Sequence, residues 1–471
     1  MNEPVAYTIN GEQQGLPQPQ RNRAIAAIVL GLGMSILSGS MINLALPGMA
    51  EDLGCTFAEI VWVVSAYQAA ALGVLLPCSA LGDRWGYRPV YMVGTVLFTL
   101  GAVFCALADS LETLILMRVL QGVGSAGVMG VNIALMRQIY PEFLLGRGIA
   151  LNGLVVSLCA ISGPFIAAQV LTFGTWRGLF WITLPIGVAL FCLAKNAFPA
   201  KNIKNFPPFP KKIPFSLLDI VLNIVVFGLF FLFANYCRGD GQNILQNYFL
   251  GLLVLIWCIL GYWYWRRQCV HPAPLLPVDL LRISAFIFSI GMAVTAYCVQ
   301  NLFFLSLPFL MLEVWNISKT QTGLLIAVWP LAAAIMSIPA GQMIGRFSNQ
   351  ALSVMGLVLL TFGVGSFLIL FQMPEGGINI IWRLMLCGFG FCLFQTANVH
   401  GIISSAPMQR SGAASGMMNV ARLGGQILAT VIAAFVLGAW EDLATAVQVI
   451  QWIAFFLSLF VVLFALMKRL S

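Results

Sequence analysis

The sequence predicts an all-α, polytopic membrane protein of about 14 transmembrane helices, built as two repeated six-helix bundles with two further helices inserted between them. Three observations predict it. Of 471 residues, 60% are hydrophobic and only 8% charged, and the mean hydropathy is +0.93; a soluble domain is about 45–50% apolar and about 25% charged. Long charge-poor runs recur along the chain, each close to the roughly 20 apolar residues a helix needs to cross hydrocarbon. The pattern of one half also returns in the other.

Backbone polar groups inside lipid must be paired locally, so these runs read as helices; the alternating ten-residue segments of a β-barrel are absent. Their starts fall near Ala24, Ile60, Pro89, Leu111, Gly148, Gly178, Ser216, Leu245, Ser284, Thr322, Ala351, Ile378, Met417 and Ala444. Residues 1–23 are polar, without the apolar core of a cleavable signal, and read as a disordered tail. Residues 24–194 form the first bundle, 195–215 a basic Pro-rich linker, 216–266 the inserted pair and 267–471 the second bundle. With the N-terminal tail in the cytoplasm, eighteen of the 24 Lys and Arg fall on the cytoplasmic side and three on the other. That bias predicts both termini inside and assigns the +8 net charge to topology and anionic lipid, with no nucleic-acid partner.

The repeat is specific. VYMVGTVLFTLG from Val90 aligns with LSVMGLVLLTFG from Leu352, pairing Gly94 with Gly356 and Gly101 with Gly363. GDRWGYR from Gly82 aligns with GRFSNQ from Gly345, and RVLQGVG from Arg118 with RLMLCGFG from Arg383.

Most of the eleven Cys lie in apolar runs, there is no C-x-x-C pair, and His271 and His400 are far apart, so neither a metal nor a cofactor is expected. GVGSAG at Gly122–Gly127 matches a dinucleotide-binding pattern, yet it lies inside an apolar span rather than between a strand and a helix. Paired carboxylates and His–acid clusters suited to a membrane-embedded enzyme are missing too.

Ionisable groups at membrane depth cost about 2.5–3.5 kcal/mol each on insertion scales, so each is a functional candidate. They are Arg118, with Gln121 one turn along its face, Arg383 at the matching place in the second copy, and Arg422, placed a turn and a half into its span. Asp83, Arg84 and Arg88 form a charge cluster at one membrane face, suited to holding one conformation closed. Gly163 and Pro164 predict a close-packed bend, and Gly412 and Gly416 a close helix contact. Polar or aromatic residues in otherwise apolar helices supply the candidate lining of a central cavity: Ser38, Asn43, Tyr67, Gln68, Asn132, Gln300, Asn301, Trp329, Gln395, Asn398 and His400.

These motifs resemble the major facilitator superfamily, specifically its fourteen-span drug:proton antiporter branch, over essentially the whole length. LGDRWGYRPV (Leu81–Val90) is similar to that family's loop motif, RVLQGVG to its fourth-span motif, SGPFIAA (Ser162–Ala168) to its fifth-span antiporter motif and INLALP (Ile42–Pro47) to its first-span motif. WRGLFWITLPIG and SAPMQRSGAASG resemble signatures of the branch. The resemblance implies a monomeric multi-pass protein of the cytoplasmic membrane that exports small amphipathic organic molecules against protons by rocking its two halves. Import or facilitated passage of one metabolite, or a non-transporting sensor, are the alternatives. Ser38 stands where the family often carries an Asp, so neutral, amphipathic or anionic substrates are expected rather than quaternary cations.

Overall fold

A computed structural model describes residues 7–9, 12–55, 57–60, 62–198, 216–236, 244–271, 274–369, 377–440 and 442–470. Fourteen helices of fifteen residues or more dominate them: α1 (Gln18–Asp52), α2 (Trp62–Trp85), α3 (Tyr87–Ala106), α4 (Leu111–Ile139), α5 (Glu142–Phe173), α6 (Thr183–Ala197), α7 (Leu217–Tyr236), α8 (Ile244–Val270), α9 (Ser284–Phe309), α10 (Val328–Met343), α11 (Asn349–Ile369), α12 (Gly377–Ser405), α13 (Ser411–Ala439) and α14 (Leu443–Leu470). Short helices Arg177–Trp181 and Lys319–Ile326 lead into α6 and α10.

Among the described residues, twelve helical segments are long and apolar enough to span a membrane. The expected total of about 14 differs from this by the inserted pair: α7 contributes only the shorter apolar stretch Leu217–Leu229. Three helix starts lie six residues earlier than the hydropathy pattern suggests. α1 begins at Gln18 rather than Ala24, α5 at Glu142 rather than Gly148, and α13 at Ser411 rather than Met417, because polar first turns still complete their backbone bonds. Ahead of α1, Tyr7–Ile9 pairs antiparallel with Glu12–Gln14, and the Leu16 amide donates to Ile139 O at 3.1 Å. Lys195–Ala197, assigned to the linker by composition, complete α6; the rest of that linker from 199 onward lies outside the described residues.

The same contacts recur in both halves. In the first, α4 packs on α1, α2 and α3, α1 on α5 and α6, and α3 on α6; in the second, α12 packs on α9, α10 and α11, α9 on α13 and α14, and α11 on α14. Glycines permit the closest approaches. A Cβ on Gly94 would meet Gly124 O at 2.9 Å, and one on Gly356 would meet Gly390 O at 2.6 Å. Without those side chains the backbones touch, which supplies dispersion contact where lipid offers no hydrophobic drive. On α3, Val93, Val96, Leu100 and Phe104 are exposed at helical spacing and form a lipid-facing stripe.

The halves meet where α2 packs on α13 and α5 on α10, with α4 against α13 and α5 against α12. The inserted α7 lies on α2 and α13. Its Asn223 Nδ2 donates to Gly73 O of α2 at 2.6 Å, and Tyr264 of α8 donates to Asn223 Oδ1 at 3.0 Å. Asp219 of α7 pairs with Arg267 of α8.

Candidate functional site

Arg118 is wholly buried in α4, seven residues past the helix start, or about 10 Å along its axis. Its Nε donates to Val63 O at 3.0 Å, and its Nη1 to Gln121 Oε1 at 2.6 Å and to Ser38 Oγ at 3.4 Å. Gln121 Nε2 also donates to Ser38 Oγ, at 3.3 Å. The guanidinium carbon stands 4.3 Å from the centroid of the Tyr67 ring, a cation–π contact. Tyr67 in turn donates to Ser125 Oγ at 2.8 Å. The predicted residues Ser38, Tyr67, Arg118 and Gln121 thus form one network across α1, α2 and α4. Arg118 has no carboxylate partner among the described residues, and its Nη2 has no hydrogen-bond acceptor among them.

Arg383 does not repeat this arrangement, which corrects the sequence alignment. Gly122 of α4 packs against Tyr67 O and Gly388 of α12 against Trp329 O; Gly124 meets Phe98 N as Gly390 meets Leu360 N. Those pairings place Leu384, fully buried, in the position of Arg118. Arg383 is one residue out of phase, about 100° around the helix. Its Nη1 donates instead to Ser366 O, in the last turn of α11, at 2.6 Å, a helix-end role suited to a cation.

Trp329 occupies the counterpart of Tyr67 and is enclosed by aromatic rings. It is 1% exposed, with Phe304 at 5.0 Å, Phe303 at 5.7 Å and Phe391 at 6.4 Å between ring centroids.

Several other predicted lining residues are spent on neighbouring helices within one half. Asn132 Nδ2 donates to Asn152 Oδ1 at 3.1 Å, Asn301 Nδ2 to Gln426 O at 2.9 Å and Asn398 Nδ2 to Ser289 O at 3.0 Å. His400 lies near the end of α12, close to the contact between halves described next, and not at the level of Arg118. The side chains of Asn43 and Pro164 lie outside what the structure describes. Gly163 holds α5 so close to α1 that a Cβ would overlap Ser40 Oγ.

Gln395 and Gln68 keep accessible surface. Gln395 is partly exposed and donates through Nε2 to the Tyr297 hydroxyl at 3.0 Å. Gln68 shares a helical face with Leu72, Leu76 and Ser79, all buried, yet is itself exposed. Gly412 and Gly416 of α13 pack on Asp83, Ser79 and Leu76, so the two halves touch from Leu76 to Asp83.

With α13 starting at Ser411, Arg422 lies eleven residues in, about 16 Å along the helix. It continues the stripe of α13 that meets the first half: one turn earlier, Asn419 Nδ2 donates to Met129 O of α4 at 3.0 Å. Tyr297, Ser125 and Arg137 were not legible in the sequence, since each acts through partners more than 50 residues away.

The contact at the far end of α2 is built from Asp83. Its Oδ1 accepts the Gly412 amide at 2.7 Å and its Oδ2 the Ala413 amide at 3.0 Å, while the Tyr87 hydroxyl donates to Oδ1 at 2.7 Å. Gly412 and Ala413 are in the first turn of α13, whose amides have no intrahelical acceptor. A carboxylate of one half thus caps a helix of the other, favoured by the positive helix N-terminus. Arg137 of α4 adds bonds to Ala406 O at 3.0 Å and Ser411 Oγ at 2.9 Å. The predicted cluster is narrower than expected: Arg88 donates to Lys195 O within the first half, at 2.7 Å. Arg84 lies in the fields of Asp83 and Arg410. Gly412 and Gly416 press on Ser79 and leave no room for a Cβ, as their spacing predicts.

On the opposite face, Arg177 and Trp176 both donate to Asp52 Oδ2, at 2.6 and 2.9 Å. Those bonds, Arg177 first, hold the Asp52 carboxyl below its ordinary range.

Two helical bundles meeting through a capped helix end, with arginines buried inside, fit a membrane transporter. The chain belongs to the Major Facilitator Superfamily, which it matches over residues 28–299 and 288–470. It is 42% identical over 438 residues to the transporter YebQ of Escherichia coli K12, covering 93% of each chain. It is 27% identical to the multidrug resistance protein Stp of Mycobacterium tuberculosis, over 89% of this chain and 77% of that one. Among solved structures, the human organic anion transporter MFSD10 superposes with a TM-score of 0.64 at 17% identity, covering 94% of this chain and 100% of that one.

Proposed function

We propose that the protein is a secondary active exporter that moves small amphipathic organic molecules across the cytoplasmic membrane in exchange for protons, by rocking its two six-helix halves. One observation carries this reading: the bond from Asp83 to the first turn of α13, with Gln68 exposed further along the same face of α2. A contact that closes one side and leaves the other open is what alternating access requires. The charge bias assigns the closed side to the cytoplasm, which makes this conformation outward-facing and puts both termini inside. In the fourteen-span reading α7, packed on α2, and α8, packed on α7, are a pair of spans outside the two bundles, in a monomer.

Asp83 is also the carboxylate through which protons would act. A protonated acid loses its hold on the two amides and releases the contact, so proton uptake favours closure on the opposite side. The name of Stp, a multidrug resistance protein, supports export over import.

The test is purified protein in liposomes with an imposed pH gradient, a lumenal pH dye and a panel of neutral, anionic and cationic amphiphiles. Exchange gives proton flow opposite to substrate flow. Substrate flux that ignores collapse of the gradient, or protons travelling with the substrate, would overturn the proposal.

A further inference from the structure

We infer that Arg422 and Tyr297 form a binding site for an anionic group, so that the preferred substrates are amphipathic organic anions such as aryl carboxylates. The inference rests on the transport reading above and names the substrate class of the same interior.

Arg422 stands deep between the halves, where an uncompensated charge is expensive and has to be used. Its one hydrogen bond among the described residues is a weak one, Nη2 to the Met129 sulfur at 3.8 Å. No carboxylate pairs with it among them, although a guanidinium carries five N–H donors. The residue retains accessible surface while its neighbours Asn419 and Ala421 are buried. Its unused donors therefore face the space that leaves Gln68 and Gln395 accessible.

Gly425, one turn on from Arg422 along α13, packs against the Tyr297 Cβ, so Arg422 and Tyr297 adjoin where α13 meets α9, and Tyr67 also lies in the field of Arg422. The Tyr297 oxygen accepts from Gln395 Nε2, and its own O–H has no acceptor among the described residues. Fixing the oxygen as an acceptor leaves that proton to be donated. A forked cation and a free hydroxyl donor suit a carboxylate, which takes the fork on two oxygens and a third bond on a remaining lone pair. Aromatic surface adjoins the site: Phe391 lies 5.4 Å from the Tyr297 ring centroid. Arg118, the second guanidinium without a carboxylate, shares Tyr67 with Arg422 and adds to the positive field. Quaternary cations are disfavoured by both charges.

The experiment compares three probes of similar bulk on the full-length protein in liposomes: 2-naphthoate, 2-naphthamide and tetraphenylphosphonium. Wild type is expected to bind and move naphthoate at least about tenfold better than naphthamide, the ratio one charge-assisted bond supplies. Arg422→Gln is expected to bring that binding ratio to near one, Arg422→Lys to restore part of it, and Tyr297→Phe to lower it severalfold. A wild type that prefers the amide or the phosphonium overturns the anion site whatever the variants do. So does an unchanged ratio in a folded Arg422→Gln protein. Naphthamide that is never moved against a proton gradient counts against the transport reading instead, because the anion site is judged on binding ratios alone.

Discussion

Replacing Asp83 by Asn keeps the size of the side chain and one carbonyl oxygen but removes the charge that caps α13. The structure sets the scale of the effect. Asp83 accepts the Gly412 and Ala413 amides at 2.7 and 3.0 Å, and those amides have no acceptor inside their own helix. A hydrogen bond to a charged group contributes about 1.5–3 kcal/mol, and the helix N-terminus adds attraction of the same sign. Tyr87 remains able to accept from Gly412, at 3.1 Å, so the loss is partial. The expected net change is about 1.5–3 kcal/mol, or roughly 10- to 150-fold in the closed-to-open ratio. Amide hydrogen exchange reads it directly, because protection of Gly412 and Ala413 depends on a residue more than 300 positions away. In Asp83→Asn both amides should exchange roughly 10- to 150-fold faster, with the core of α13 unchanged. Unaltered exchange at the two positions would refute the cap as the element that closes this side.

Three further outcomes follow from the same geometry. Arg118→Ala leaves Gln121 Oε1 without a donor and takes one donor each from Val63 O and Ser38 Oγ, so thermal unfolding of the purified protein should show a loss of about 1–3 kcal/mol; Lys should not restore it, lacking the fork. Gly416→Val forces a branched side chain onto Ser79 and should weaken the closed side by about 1–3 kcal/mol, seen as faster labelling of a cysteine introduced at the buried Ser411, with no change expected from Gly424→Ala, where a Cβ meets open space. Asp52 titrates below its ordinary value of 3.8, so its contribution is present above that value and disappears as pH falls through the lower folded value. The melting temperatures of wild type and Asp52→Asn should therefore differ at pH 7, and the difference should shrink as the pH falls below 3.8.

Reading along the chain recovered the helices well, because the transfer of about 20 residues into hydrocarbon is a local sum that needs no knowledge of neighbours. Leu111 and Ser284 begin helices where the pattern placed them. The candidate site was legible where a residue type is itself costly: a buried Arg118 with Gln121 one turn on demanded a partner, and the hydroxyl at Ser38 provides one. It was not legible where phase decides. Arg383 and Arg118 align as letters, yet one residue turns a side chain through about 100°, and the glycine contacts of α12 fix that turn.

Composition and hydropathy by themselves determined that the chain lives in a bilayer and where its helices fall, since both follow from the solvation of consecutive residues. Only tertiary structure decided that Asp83 serves a helix of the other half, that Arg383 ties down a helix end, and that Arg422 is left with unspent donors facing interior space. Those roles depend on which faces meet across hundreds of residues, and meeting is set by close packing of backbones, which no local sum contains.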